Sequence, residues 1–111
     1  MKLITEKMGD VAVIRLSVTS LDVANVAAFK EAMAPIVERE SKIVLDLASL
    51  EFIDSSGLGA LLSCLRKLCG KGGDLKLCAL SNAVRTVFEL VRMHRVVDIV
   101  ADRNEAILRF T

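Results

Sequence analysis

The sequence predicts an α/β layer fold, a mixed β-sheet of four to five strands with about four α-helices, and three observations carry the prediction. Short apolar runs of strand character alternate along the 111 residues with stripes of helical spacing, in the order ββαβαβαβα. Near the start, two apolar runs flank Gly9-Asp10, a turn signal that adds an antiparallel hairpin. Ile43-Val44-Leu45-Asp46-Leu47 is almost unbroken apolar, as expected of a central strand covered on both faces. Crossovers between parallel strands are expected to be right-handed. The length suits one core without disulfide or metal, so a single domain over 1–111 is expected.

Each element has its own warrant. Leu3-Ile4 and Val11 to Leu16 form the hairpin, and Ser17 to Leu21 reads as a loop. From about Val23, the apolar residues Val26, Phe29, Met33, Ile36 and Val37 fall at i, i+3, i+7, i+10 and i+11, one stripe of an amphipathic helix. Asp22 is a candidate cap for it. Pro35 lies inside the stripe and has no N–H to donate, which predicts a kink or an early break. After the Ile43–Leu47 strand, Leu58, Leu61, Leu62, Leu65 and Leu68 mark a second helix that ends at Gly70. Lys67 and Lys71 sit near its C-terminus, where the dipole favours cations. Gly70 to Gly73 is a turn, and Asp74 to Cys78 a strand with Leu75 and Leu77 on one face. Ser81 or Asn82 caps a third helix with the stripe Val84, Val87, Phe88 and Val91. Val96 to Val100 reads as a short strand, and Asp102-Arg103-Asn104-Glu105 has capping-box spacing before a last helix to Phe110.

Composition excludes several classes of function. Fifteen basic against 14 acidic residues, net +1, leaves no clustered positive charge for nucleic acid, and there is no Trp or Tyr to stack bases. No apolar run approaches the roughly 18 residues of a membrane span. Met1 to Lys7 lacks the apolar core and cleavage site of a secretory signal, so a cytoplasmic location is expected. Cys64, Cys69 and Cys78 are odd in number and fit no CxxC pattern; they read as core thiols.

The chemistry concentrates in Asp54-Ser55-Ser56-Gly57-Leu58-Gly59, where a strand runs into a helix. A nucleophile elbow needs glycine two residues before the serine, but Ile53 and Asp54 hold those positions. The only histidine, His94, lies in the charged stretch Arg92-Met93-His94-Arg95 and reads as a solvated residue rather than a catalytic base. Gly57-Leu58-Gly59 lacks the third glycine of GxGxxG and the GK[ST] ending of a P-loop, so no nucleotide cofactor is implied. Asp22, Asp46 and Asp54 can gather at strand ends, yet no ligand spacing accompanies them, and no metal is expected. Two uses of the serines remain open. One serine caps the helix while Gly57 and Gly59 permit close packing, or a serine receives phosphate where free N–H groups and the helix dipole hold it.

The wider pattern bears on that choice. Ile43 to Leu47, Leu50-Glu51-Phe52-Ile53-Asp54-Ser55-Ser56-Gly57-Leu58-Gly59, the glycines at 70, 72 and 73 and Leu75-Lys76-Leu77 together resemble the STAS domain of bacterial anti-sigma factor antagonists, from the hairpin to the last helix. The resemblance implies partner switching. Ser56, the serine before the glycine, would be phosphorylated by an anti-sigma factor that is a serine kinase of histidine-kinase-like ATPase fold. A PPM-type phosphatase would reverse this, and only the unphosphorylated chain would bind the anti-sigma factor and release a sigma factor. Asp22, Asp54, Ser55, Gly57, Leu58 and Gly59 would form the switch loop and partner-binding surface. The alternative within the family is a scaffold without phosphate, as in a stressosome or a lipid-transport complex. This chain departs from the family at Val18-Thr19-Ser20 and at Val91-Arg92-Met93-His94, where relatives often carry glycine.

Overall fold

The computed structural model describes residues 1–110. Strands β1 (Leu3–Met8) and β2 (Val11–Leu16) form the expected antiparallel hairpin, with Gly9 at φ +65° in its turn. The chain continues through β3 (Ser20–Leu21), α1 (Val26–Arg39), β4 (Lys42–Asp46), β5 (Phe52–Ile53) and α2 (Ser55–Gly70). It ends with β6 (Asp74–Cys78), α3 (Asn82–Leu90), a 3-10 turn (Met93–Arg95), β7 (Asp98–Val100) and α4 (Arg103–Leu108). The main sheet has the order β1-β2-β4-β6-β7; β2, β4, β6 and β7 are parallel, and β3 pairs with β5 in a separate two-stranded ribbon.

Strand alternation assigns each side chain to a face. Ala12, Ile14, Ile43, Leu45, Leu75 and Leu77 pack with Phe29, Met33, Ile36 and Val37 of α1, Leu61, Leu65 and Leu68 of α2, and Val84 and Phe88 of α3. Val11, Val13, Val44, Cys78 and Val100 face the other way, onto Ala106 of α4, with Ile107 and Phe110 beside them. That double burial is why the β4 sequence is apolar without alternation.

The structure differs from expectation in several places, each for a local reason. The segment read as a loop, Ser17 to Leu21, contains β3, too short for any periodicity to reveal. The cap position of α1 is Asn25, and its side chain makes no capping bond there; the Asp22 carboxylate accepts from the Ala24 amide (2.9 Å) instead. Pro35 does not end α1, which runs on to Arg39. Pro35 and Glu31, whose carbonyl loses its donor, are both exposed to water, while Ile36 and Val37 are drawn into the core. Lys71 stands at the C-cap of α2, as expected, and its ammonium also donates to the carbonyls of Val37 and Glu38, at the end of α1. Val91 lies beyond α3 and is exposed, and of the three thiols only Cys64 and Cys78 are buried, Cys69 being exposed.

Candidate functional site

The site forms where the β3–β5 ribbon delivers the chain into α2. Ser20 pairs with Phe52 and Leu21 with Ile53 in parallel register. The ribbon is held by Glu51 and Phe52 amides donating to the Thr19 carbonyl (2.7 and 3.2 Å) and by the Asp54 amide donating to the Leu21 carbonyl (3.2 Å). Asp54 is thereby fixed in an extended conformation, φ −107° and ψ −175°, the backbone of an N-cap. Its Oδ1 accepts from the Gly57 amide (3.0 Å) and its Oδ2 from the Val23 amide (3.0 Å). The cap is therefore Asp54, and neither serine fills that role. One carboxylate closes α2 and also stitches the segment after β3 to it.

Those amides, Gly57 first and then Val23 and Ser56, hold the Asp54 carboxyl below the ordinary carboxylate range against a smaller opposing effect of desolvation. Asp54 is consequently a fixed negative charge beside the serines at neutral pH.

Ser55 and Ser56 occupy the first two helical positions of α2, Ser55 exposed and Ser56 half-buried. Gly57 is buried against β3: a Cβ there would lie 2.5 Å from the Leu21 carbonyl oxygen and 2.8 Å from Ile53 Cγ1. Only glycine permits that approach. A Cβ on Gly59 would meet nothing within 4 Å, so Gly59 has no close-packing role. Leu58 is half-buried and packs on the main core.

The structure brings the Asp22 loop to the serines but does not place the Asp22 carboxylate on them. Besides Ala24, that loop is tied by Asn25, whose Oδ1 accepts from the Asp22 amide (3.0 Å) and whose Nδ2 donates to the Ser20 carbonyl (2.8 Å). Asp46 does not join this group of acids. It lies on the α4 face of the sheet, paired with Arg103 at 2.8 Å. His94 is exposed in the 3-10 turn.

Two residues of this surface escaped the sequence reading. Val23 is 76% exposed and Phe52 55%, on the two segments that flank the serines. Phe52 carried a signal: it adjoins Ile53 in a short extended run, where one of two neighbouring apolar side chains must face outward. Val23 sat in register with the α1 stripe, but α1 begins at Val26 and the Val23 amide donates to Asp54 instead.

Comparison with known proteins places this geometry in context. A family model described as the STAS domain matches residues 2–106. The anti-sigma-B factor antagonist of Bacillus subtilis is 27% identical over 81 residues, 73% of this chain and 74% of that protein. The Thermotoga maritima protein TM1081 has a crystal structure that superposes with a TM-score of 0.87 at 26% identity, covering 96% of this chain and 92% of that one. SpoIIAA, an anti-sigma factor antagonist of Bacillus, is 26% identical and matches in both of its solved states. The TM-score is 0.73 for the unphosphorylated form, over 98% of this chain and 97% of that one. It is 0.72 for the phosphorylated form, over 99% and 100%.

Proposed function

Because the chain belongs to the STAS domain family, we propose that it is an anti-sigma factor antagonist, a non-enzymatic cytoplasmic binding module switched by phosphate on Ser56. Unphosphorylated, it binds an anti-sigma factor that is a serine kinase of histidine-kinase-like ATPase fold, and so frees a sigma factor. Phosphorylation of Ser56 by that kinase ends the binding, and a PPM-type phosphatase restores it.

The observation that carries the reading is Ser56 itself: a reachable hydroxyl in the first turn of a helix whose cap is already occupied by Asp54. The hydroxyl is free for modification because the fold does not need it as a cap. A phosphate there gains the helix dipole, about 0.5–1 kcal/mol. It also meets a fixed carboxylate, and no Lys or Arg lies between Asp54 and Gly59 to receive it. Two unit charges about 4 Å apart repel by about 4 kcal/mol at an effective dielectric of 20, before screening. Charge added at a surface flanked by exposed Val23 and Phe52 therefore acts against docking more than against the fold. SpoIIAA supports the separation, since its two phosphorylation states match this chain about equally well.

The test uses the purified chain with its cognate kinase and ATP. One phosphate is expected on the wild type and none on Ser56→Ala; full incorporation into Ser56→Ala would refute the site. Ser56→Asp is expected to weaken kinase binding at least about a hundredfold with an unchanged melting temperature, and undiminished binding would remove the charge mechanism.

A further inference from the structure

The end of the molecule remote from Ser56 carries a second exposed apolar surface. Helix α2 begins at the carboxyl ends of the parallel strands and runs 16 residues, about 24 Å, back to the start of β6. Helix α3 likewise leaves the carboxyl end of β6 and returns to the amino end of β7. Its last turn and the 3-10 turn therefore lie at the pole opposite the serines. There Leu90, Val91 and Val96 are 78%, 52% and 57% exposed, within seven residues of chain.

The knuckle is anchored, not loose. Met93 and Val97 are buried beneath it, and the amides of Arg95, Val96 and Val97 donate to the carbonyls of Arg92 and Met93 at 3.0–3.2 Å. Arg92 takes a left-handed conformation, φ +60°, at the place where the sequence lacks the glycine common in the family. The segment 90–96, Leu-Val-Arg-Met-His-Arg-Val, contains no carboxylate, though exposed Glu89 directly precedes it, and among the described residues the side chains of Arg92, His94 and Arg95 have no hydrogen-bond or ion-pair partner. The carboxylates at the amino ends of the strands are already engaged. Asp10 pairs with Lys42 at 2.8 Å, and Asp74 and Asp98 hold Lys76 at 3.1 and 2.8 Å.

We propose that this knuckle is a second docking surface, one that seats Leu90, Val91 and Val96 in an apolar pocket of another protein whose rim carries carboxylates facing Arg92 and Arg95. Two other occupants fit less well. A second copy meeting it through a two-fold axis would bring a single carboxylate, Glu89, to face Arg92 and Arg95. A flat anionic bilayer would meet the whole pole, with Asp10, Asp74, Glu89 and Asp98, and not the arginines of the knuckle alone. The surface stands apart from the switch, so its partner binds whether or not Ser56 is modified.

The experiment places a photo-crosslinking residue at Leu90, with Lys30 as control position, in the full chain in its source cell. The protein captured is identified, purified and titrated against the wild type, Leu90→Asp, the double variant Arg92→Glu/Arg95→Glu, and Ser56→Asp. The expected result is capture from position 90 above the control. Affinity should fall about tenfold or more in the Leu90 variant and in the arginine double variant at unchanged melting temperature, weaken with salt, and be unaffected by Ser56→Asp. Capture no greater than at Lys30, unchanged affinity in the knuckle variants, or loss of binding in Ser56→Asp would overturn the proposal. Crosslinking to a second copy, or cosedimentation with phosphatidylglycerol vesicles that Leu90→Asp abolishes, would overturn it equally. A failed Ser56 switch with an intact knuckle partner would count against the antagonist reading alone.

Discussion

Gly57 and Gly59, two residues apart on one helix, are under opposite constraints. The missing Cβ of Gly57 lies where the Leu21 carbonyl oxygen approaches to 2.5 Å, and that oxygen is backbone held in the β3–β5 ribbon. Gly57→Ala is expected to destabilise by about 1–3 kcal/mol, because the ribbon must move to admit a methyl group. Gly59→Ala meets open space in a helix and is expected to stabilise by about 0.5–1 kcal/mol. Urea unfolding of the two variants checks both signs. Asp54 sets a third expectation at this scale. Its folded pKa lies below the 3.8 of a free carboxyl, so the stability it supplies is present above that value and is lost as pH falls through the lower, folded one. Asp54→Asn keeps an oxygen to cap Gly57 but does not titrate. The variant is expected to show a flatter loss of stability than the wild type as pH falls below 3.8, read from unfolding curves at each pH.

The elements divide into those that periodicity could show and those it could not. Helices α1 to α3 and strands β2, β4 and β6 were legible because each spans enough residues to display a burial pattern. The β3–β5 ribbon has two residues per strand and was invisible, although it is what presents the serines. The cap of α2 was sought only among the serines, for a related reason. Asp-Ser-Ser offers three capping side chains in a row, and the choice among them is made by the long-range bond from the Asp54 amide to Leu21. The motif could thus be located from the sequence, but the partition of roles within it came from tertiary contacts. Pro35 does not break α1 for the converse reason: its rule is local, and burial of the residues after it outweighs one lost hydrogen bond. Helix α4 shows how little periodicity a short element needs when polar anchors hold it. Asp102 caps it, and Arg103 reaches the buried Asp46 and the exposed Glu6, each at 2.8 Å. Arg103→Ala leaves Asp46 without its cation and is expected to cost about 2 kcal/mol by chemical denaturation, with Arg103→Lys recovering part of the loss.

Across the whole molecule, burial decides which groups are open to chemistry. Burial pushes the Cys78 thiol up to about 12, and it raises Cys64 as well, while Cys69 is exposed. Alkylation of the native protein at about pH 8 is expected to label Cys69 alone, with Cys64 and Cys78 reacting only after unfolding; peptide mass mapping distinguishes the three. The two faces of the sheet are also unequally covered. Three long helices shield one, but the other, with Val11, Val13, Val44, Cys78 and Val100, depends on the six residues of α4 and on Phe110 just beyond it. In chain order that cover comes after every strand it protects. During synthesis on a ribosome, the sheet can be complete while its second face still stands open to water, to chaperones and to other nascent copies, and only the emergence of residues 103–110 closes it.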